Sequence, residues 1–212
     1  MSARPVAIVG GGEHARVVAE AVRSRPDLFE LVGFVDPQPC EETRRRLGLP
    51  RLGDDGWVRG RADVLLVLGV GAVGVGDVRR RVVERLGVDD GRWAAVCHAR
   101  AVLSPTAQLR AGAVVMAGAV VQSGAVIGRQ AVVNSGAVVE HDVTLGEFVQ
   151  IGPAAALGGG CAVGDDAYVG LGARVRDHVR VGARALVGMG SVVVGAVPDG
   201  ARVWGVPARP RG

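Results

Sequence analysis

The chain contains no lysine: all 25 of its basic side chains are arginine. Schiff-base chemistry on a lysine amine is therefore excluded. Aromatic residues make up only 3% of the sequence, and no basic–aromatic platform for stacking nucleobases is present, which argues against nucleic acid as a partner. The three cysteines, Cys40, Cys97 and Cys161, are odd in number and far apart, which fits neither a disulfide framework nor a zinc site. No apolar run reaches transmembrane length, so no membrane partner is expected. The opening segment has only Arg4 before a short apolar stretch ending at Gly10; it reads as a buried strand rather than a signal peptide, and a cytoplasmic location is expected. The net charge of +4 is mild, but residues 170–212 hold seven arginines against Asp177 and Asp199. That surplus is either a solvated surface or a site for a phosphorylated ligand.

What the chain does have is a period of six. From Leu103 to Val193 every sixth residue is Leu, Ile or Val, and four residues after each stands a small one, such as Ala107, Ala113 or Cys161. This period fits neither a helix nor a flat sheet and marks a solenoid of short strands. Three hexads make one coil of 18 residues, with the large aliphatic residue pointing to the axis and the small one turning the corner. Cys161 therefore reads as core rather than nucleophile. Stacked at strand spacing, about five coils give a prism roughly 25 Å long. Each buried Val or Leu contributes about 1.5–3 kcal/mol, so the axial row can support this domain by itself. Glycine is frequent in the second place of the hexad (Gly128, Gly146, Gly152, Gly164, Gly170, Gly182, Gly188), where it is expected to supply backbone angles that side chains disfavour.

Residues 1–96 follow another grammar. Val6-Ala7-Ile8-Val9 is an apolar run closed by Gly10-Gly11-Gly12-Glu13-His14-Ala15, and a helical pattern follows. Leu31 to Asp36 and Val64 to Gly69 read as further buried strands, and residues 77–87 as a second helix. The alternation predicts a small parallel α/β sheet. Gly10, Gly12 and Ala15 fit G-x-G-x-x-A, a turn that offers backbone N–H groups at a helix start to a phosphate. Asp36, at the end of the second strand, is placed to accept hydrogen bonds from a ribose or base. His14 either caps the helix or faces the phosphate. Gly10, Gly12, Glu13, His14, Asp36 and Gly69 are thus the candidate substrate-binding residues.

In the solenoid, His141 comes two residues after the axial Val139 and points outward. One coil further on is Gly159, within Gly158-Gly159-Gly160, so the surface beside the imidazole is stripped of side chains. Glu140 and Asp142 flank the histidine. A lone surface histidine is ordinarily just solvated; this one, between two carboxylates and facing bare glycine, reads as catalytic.

The whole chain resembles the hexapeptide-repeat acyltransferases that act on nucleotide amino sugars, together with the sialic acid O-acetyltransferase-type proteins grouped with them. The matching residues are Gly10 to Val18, Asn134-Ser135-Gly136-Ala137-Val138-Val139-Glu140-His141-Asp142, and Trp204-Gly205-Val206-Pro207-Ala208, in the family's order and at about its spacing. The resemblance implies a Rossmann-like nucleotide-sugar domain over residues 1–96, a left-handed parallel β-helix over 97–197 and a tail over 198–212 that closes the acetyl-CoA site. It also implies a homotrimer with acetyl-CoA as co-substrate between subunits, and no metal. The expected reaction is N-acetylation of a UDP-type 4-amino-sugar, or O-acetylation of a sugar hydroxyl. His141 is implied as general base, a task that suits an imidazole. Asp142 is implied as its partner with Glu140 as the fallback, Asn134 as an orienting group, and the Gly159 N–H as the oxyanion donor. The acetyl-CoA arm is expected along Leu171 and the Gly188–Gly190 turn, with Arg184 among the arginines that suit its phosphates. Where many relatives carry a second histidine near the thioester, this chain has Gln150, which can donate a hydrogen bond but cannot shuttle a proton.

Other classes fit less well. A zinc lyase on this prism needs three converging histidines, and the solenoid offers His141 and His178, which are 37 residues apart and out of vertical register. His178, at a corner, reads as structural or solvent-facing, and His98 has no evident partner. A non-catalytic nucleotide-sugar-binding scaffold has no use for the Glu140-His141-Asp142 group. An ice-binding solenoid needs a repeating polar ladder, which is missing.

Overall fold

The computed structural model describes residues 2–39, 41–71 and 74–210, and the side chains within them except those of Thr43 and Arg44. Cys40 and Arg211 lie outside the described residues. The N-terminal part is built from β1 (Arg4–Val9), α1 (Glu13–Arg23), β2 (Phe29–Val35), α2 (Glu41–Leu47), β3 (Arg51–Gly53), α3 (Asp55–Gly60), β4 (Leu65–Leu68) and α4 (Val78–Leu86). The four strands form one parallel sheet in the order β3-β2-β1-β4. The segment α2-β3-α3 was not expected: its helices are short and polar and its strand spans three residues, so no apolar run announces it.

Both faces of the sheet are covered, which is why β4 and the stretch Val6–Val9 of β1 are continuously apolar. On one face Val6, Ile8, Phe34 and Val67 pack against Ala15, Val18, Ala19 and Val22 of α1, and Val114, Met116 and Val132 of the solenoid join the same cluster. On the other, Ala7, Val9, Leu66 and Leu68 meet Val58, Val83 and Leu86, and the solenoid contributes Phe148. The two parts therefore share core on both sides of the sheet. Helix α1 carries Glu13 in its first turn and Arg23 in its last, each favourable to the helix dipole.

The solenoid begins one hexad earlier than the aliphatic run, at Val96–Cys97, with Cys97 in the axial place. Its strands pair in parallel at a constant offset of 18 residues, as in Val102, Val120, Val138, Ala156, Arg174 and Val192. Three flat sheets result. The axial residues from Val115 to Val193 are buried, as are the small residues Ala113, Ala119, Ala125 and Cys161. Arg202–Trp204 extends one of the sheets beyond the repeat, and Arg209–Pro210 adds the one antiparallel strand among the described elements.

The second-place glycines do not supply the backbone angles expected of them. The left-handed angles fall two places later, at Gly112, Gly118, Gly136, Gly160 and Gly190, and at non-glycine residues that include Asp142 and His178. The second-place glycines instead sit under the next coil. A Cβ on Gly128 would lie 2.6 Å from the Leu145 carbonyl oxygen, and one on Gly152 would lie 2.6 Å from the Leu171 nitrogen. They are required by coil-on-coil contact rather than by backbone angle.

Candidate active site

The turn after β1 is built as a cradle. Gly10 has φ +96, and a Cβ there would sit 2.7 Å from the Val70 side chain, so both angle and space demand glycine. Gly12 is the N-cap of α1, and the N–H groups of Glu13 and His14 precede the first bond of the helix, from the Ala15 N–H to the Gly12 carbonyl at 3.1 Å. Asp36 ties the turn together: its carboxylate accepts the Gly11 N–H at 2.8 Å and the Gln38 N–H at 2.9 Å. Gly69 lets α1 approach β4, since a Cβ there would lie 2.9 Å from that of Ala15.

These residues open onto a cavity of about 580 Å³ between the α/β sheet and the solenoid. Gly10, Gly12, Glu13, His14, Asp36 and Gly69 line one wall; Asn134, Gln150, Pro153 and Tyr168 line the other. All six candidate substrate-binding residues are thus brought together, with Asn134 and Gln150 facing them. Asn134 donates its Nδ2 to the Ile151 carbonyl at 2.8 Å, which fixes the amide. A second cavity, of about 470 Å³, continues from Gly10, Asp36 and Val70 and is walled by Pro37, Gln38, Asp55 and Arg85.

His14 does not cap α1: no side chain bonds at that N-cap. Its ring is buried with Nε2 unpartnered, and its pKa is pushed down to about 4, first by burial and second by the Arg79 guanidinium. It lines the cavity as a neutral imidazole. Arg79, 2% exposed on α4, donates to the carbonyls of Gln130 at 2.6 Å and Phe148 at 3.3 Å, both on one solenoid corner. Burial lowers its pKa to about 10, so it stays charged at neutral pH. The Phe148 ring is enclosed by the guanidinium groups of Arg80 at 4.4 Å, Arg129 at 5.7 Å and Arg79 at 5.9 Å. Arg80 also pairs with Asp166 at 2.9 Å. Helix α4 is thereby clasped to the solenoid.

The third cluster stands on another corner and does not line the first cavity. His141 Nδ1 lies 2.9 Å from Asp142 Oδ2, so Asp142, rather than Glu140, meets the ring. That leaves Nε2 pointing over Gly159, where a Cβ would lie 2.6 Å from the ring's Cε1. The N–H groups of Gly158 and Gly160 donate to the carbonyls of Val175 and His141. The Gly159 N–H has no partner among the described residues and is free beside the imidazole. A base with an orienting carboxylate and an unengaged backbone donor are the parts needed for acyl transfer.

Residues 5–86 match the PglD N-terminal domain. PerB from Caulobacter crescentus, solved with CoA and GDP-perosamine, is 37% identical with a TM-score of 0.85, over 98% of this chain and 97% of that one. The acetyltransferase domain of PglB from Neisseria gonorrhoeae, solved with acetyl coenzyme A, is 33% identical with a TM-score of 0.84, over 99% of this chain and 100% of that one. The H141A mutant of the Caulobacter enzyme, described as a GDP-perosamine N-acetyl transferase, matches at 36% identity and a TM-score of 0.83, over 98% of this chain and 97% of that one. WeeI from Acinetobacter baumannii, at 24% identity and a TM-score of 0.79 over 98% of this chain and 100% of that one, shares the fold. No curated protein sequence matched.

The chain belongs to the hexapeptide-repeat sugar N-acetyltransferases. Its fold is a small α/β domain followed by a left-handed parallel β-helix, and it is an acyltransferase that uses acetyl-CoA. Among the described residues, no group of three or more His, Cys, Asp or Glu side chains is placed to hold a metal ion. No helix among them is long and apolar enough to cross a membrane.

Within this acetyltransferase the remaining candidate residues separate. Leu171 and Met189 stand exposed on one corner, a coil apart, with Gly190 beside them. Gly188 lies under the Trp204 indole, where a Cβ would be 2.7 Å from its Cγ. Arg184 is elsewhere: it lines a cavity of about 590 Å³ with Asp77, Arg80, Asp165 and Asp166. Tyr168 was missed in the sequence. It is the chain's one tyrosine, a single coil beyond Gln150 and paired with it in register, and that offset was the signal to follow.

Proposed function

We propose that the chain transfers the acetyl group of acetyl-CoA to the amine of a nucleotide-linked 4-amino-sugar. The observation that carries this reading is the His141–Asp142 pair held over Gly159, whose N–H is free. The amine nitrogen attacks the thioester carbonyl, His141 Nε2 takes the proton, and Asp142 stabilises the imidazolium at Nδ1. The Gly159 N–H receives the oxyanion, the C–S bond breaks, and the CoA thiolate leaves to be protonated by solvent or by His141.

The nucleotide fits the Gly10–Gly12 turn, with its phosphates at the start of α1 and its base in the cavity walled by Gln38 and Asp55. The sugar then faces Asn134, Gln150 and Tyr168. His141 lies on another corner of its own chain, so the centre is completed by a neighbouring copy: we assign the working unit as a homotrimer. The tail from residue 198 onward closes the donor side. The free thiols of Cys97 and Cys161 suit the reducing cytoplasm, where acetyl-CoA is supplied.

The test is thiol release from acetyl-CoA against GDP- and UDP-linked 4-amino and 4-hydroxy sugars, with His141→Ala as control. The expected result is release that needs one amino sugar and falls roughly a hundredfold in the variant. Near-wild-type turnover by His141→Ala removes the base assignment. Release that needs a hydroxyl sugar replaces N- by O-transfer, and a preference for UDP- over GDP-linked sugars, or the reverse, names the nucleotide.

A further inference from the structure

A second imidazole reaches the bare corner from the opposite side. His141 rises from the coil below and covers Gly159; His178 comes down from the coil above and covers Gly160. A Cβ on Gly160 would lie 2.5 Å from His178 Nδ1 and 2.8 Å from its Cε1. The backbone fixes this arrangement, because the His178 N–H donates to the Gly159 carbonyl and the Gly160 N–H to the His141 carbonyl, each at 2.9 Å. The 37-residue separation, which looks out of register on the sequence, is two coils plus one place. The two rings therefore converge over adjacent glycines instead of stacking. His178 holds φ +56, an angle that Gly124 and Gly160 hold on the same corner of other coils, and its side chain is exposed toward the patch.

The acyl donor has to cross this patch. In the acyl-transfer reading its carbonyl meets the Gly159 N–H, and its other end carries phosphates. The exposed arginines Arg174, Arg176, Arg180 and Arg202 all stand on the coils beyond Gly159, toward the C-terminus. A thioester arm that runs from Gly159 to those coils passes the corner occupied by His178.

Resting on the acyl-CoA reading above, we propose that His178 is a donor-positioning residue: its ring N–H holds the thioester arm against the glycine patch, opposite His141. The two imidazoles divide the work. His141 serves the attacking amine, and His178 serves the donor.

The test uses His178→Gly, which keeps the residue type that this corner prefers, and His178→Asn, which also tolerates the left-handed angle. Dissociation constants for CoA and KM values for acetyl-CoA and the nucleotide sugar are measured, with thermal melts to check folding. Both variants are expected to bind CoA about tenfold more weakly, the loss of one hydrogen bond, with the sugar KM unchanged within about twofold. Added imidazole is expected to restore part of the CoA affinity of His178→Gly, since the vacated space fits the free ring. Unchanged CoA affinity, or equal weakening of both substrates, overturns the proposal. A wild-type protein that binds no CoA overturns the transferase reading itself, which separates the two failures.

Discussion

Replacing Gly159 with alanine adds one methyl group and tests the whole reacting corner. The angle at this residue is not left-handed, so alanine carries no backbone strain, and the neighbour in the way is an exposed imidazole rather than backbone. The new Cβ would lie 2.6 Å from His141 Cε1 and 3.0 Å from Cδ2, whereas ordinary contact begins at 3.4 Å. The ring must retreat by close to 1 Å and turn, which breaks the 2.9 Å bond to Asp142. A displacement of about 1 Å at a reacting group costs roughly a hundredfold in rate. Stability is expected to stay within about 0.5 kcal/mol, as for other surface substitutions. The adjacent Gly158→Ala is the contrast: its Cβ would lie 2.5 Å from the Asp177 backbone nitrogen, which cannot move aside, so that variant loses fold as well as rate. The assay is thiol release under saturating sugar, paired with thermal melts. Gly159→Ala turning over within about threefold of wild type would refute the claim that the imidazole works where it lies, since 1 Å of misplacement is worth far more than that.

Other outcomes follow from the same geometry. His14 has a folded pKa of about 4, below its unfolded value, so the unfolded chain binds the extra proton as pH falls from about 6.5 to 4. Stability is therefore lost across that window, by about 3 kcal/mol, and His14→Gln is expected to flatten this part of a stability–pH curve; an unchanged slope means that His14 is not held neutral. Arg79→Met leaves the Gln130 and Phe148 carbonyls without their donor and is expected to cost about 1–3 kcal/mol in chemical denaturation. The same variant also raises the His14 pKa from about 4, readable by NMR titration, because the guanidinium contributes to the lowering. Tyr168→Phe is expected to raise the nucleotide-sugar KM by about fivefold and leave the acetyl-CoA KM alone, since Tyr168 lines the cavity assigned to the sugar.

The solenoid was legible because its period is a packing rule: an aliphatic residue every sixth place has no other regular use. Gly10, Gly12, Asp36 and Asn134 were legible because short motifs carry them, and the structure does bring them to one cavity. Three things were hidden. The clasp of Arg79 to Phe148 joins residues 69 places apart through carbonyl groups, which have no sequence signature. The convergence of His178 on the glycine patch depends on which way a side chain leans from its corner, and a count of coils does not give that. Segment α2-β3-α3 is held by the parallel pairing of β3 with β2 and by single buried residues such as Leu47 and Val58, which form no apolar run.

Seven corners of the solenoid hold a side chain at an angle suited to glycine: Gln130, Asp142, Phe148, Ala154, Asp166, His178 and Arg184. Each forgoes about 1 kcal/mol that glycine would have kept. All but Ala154 take part in something described above: a carbonyl or ring for the clasp, an ion pair, the partner of His141, the donor corner, a cavity wall. The coil thus has a fixed set of pegs, and nearly every corner where stability was given up is one in use. A program of stabilisation that restored glycine corner by corner would make a hardier cylinder and progressively unmake the enzyme, with Ala154 the one place where the exchange is free.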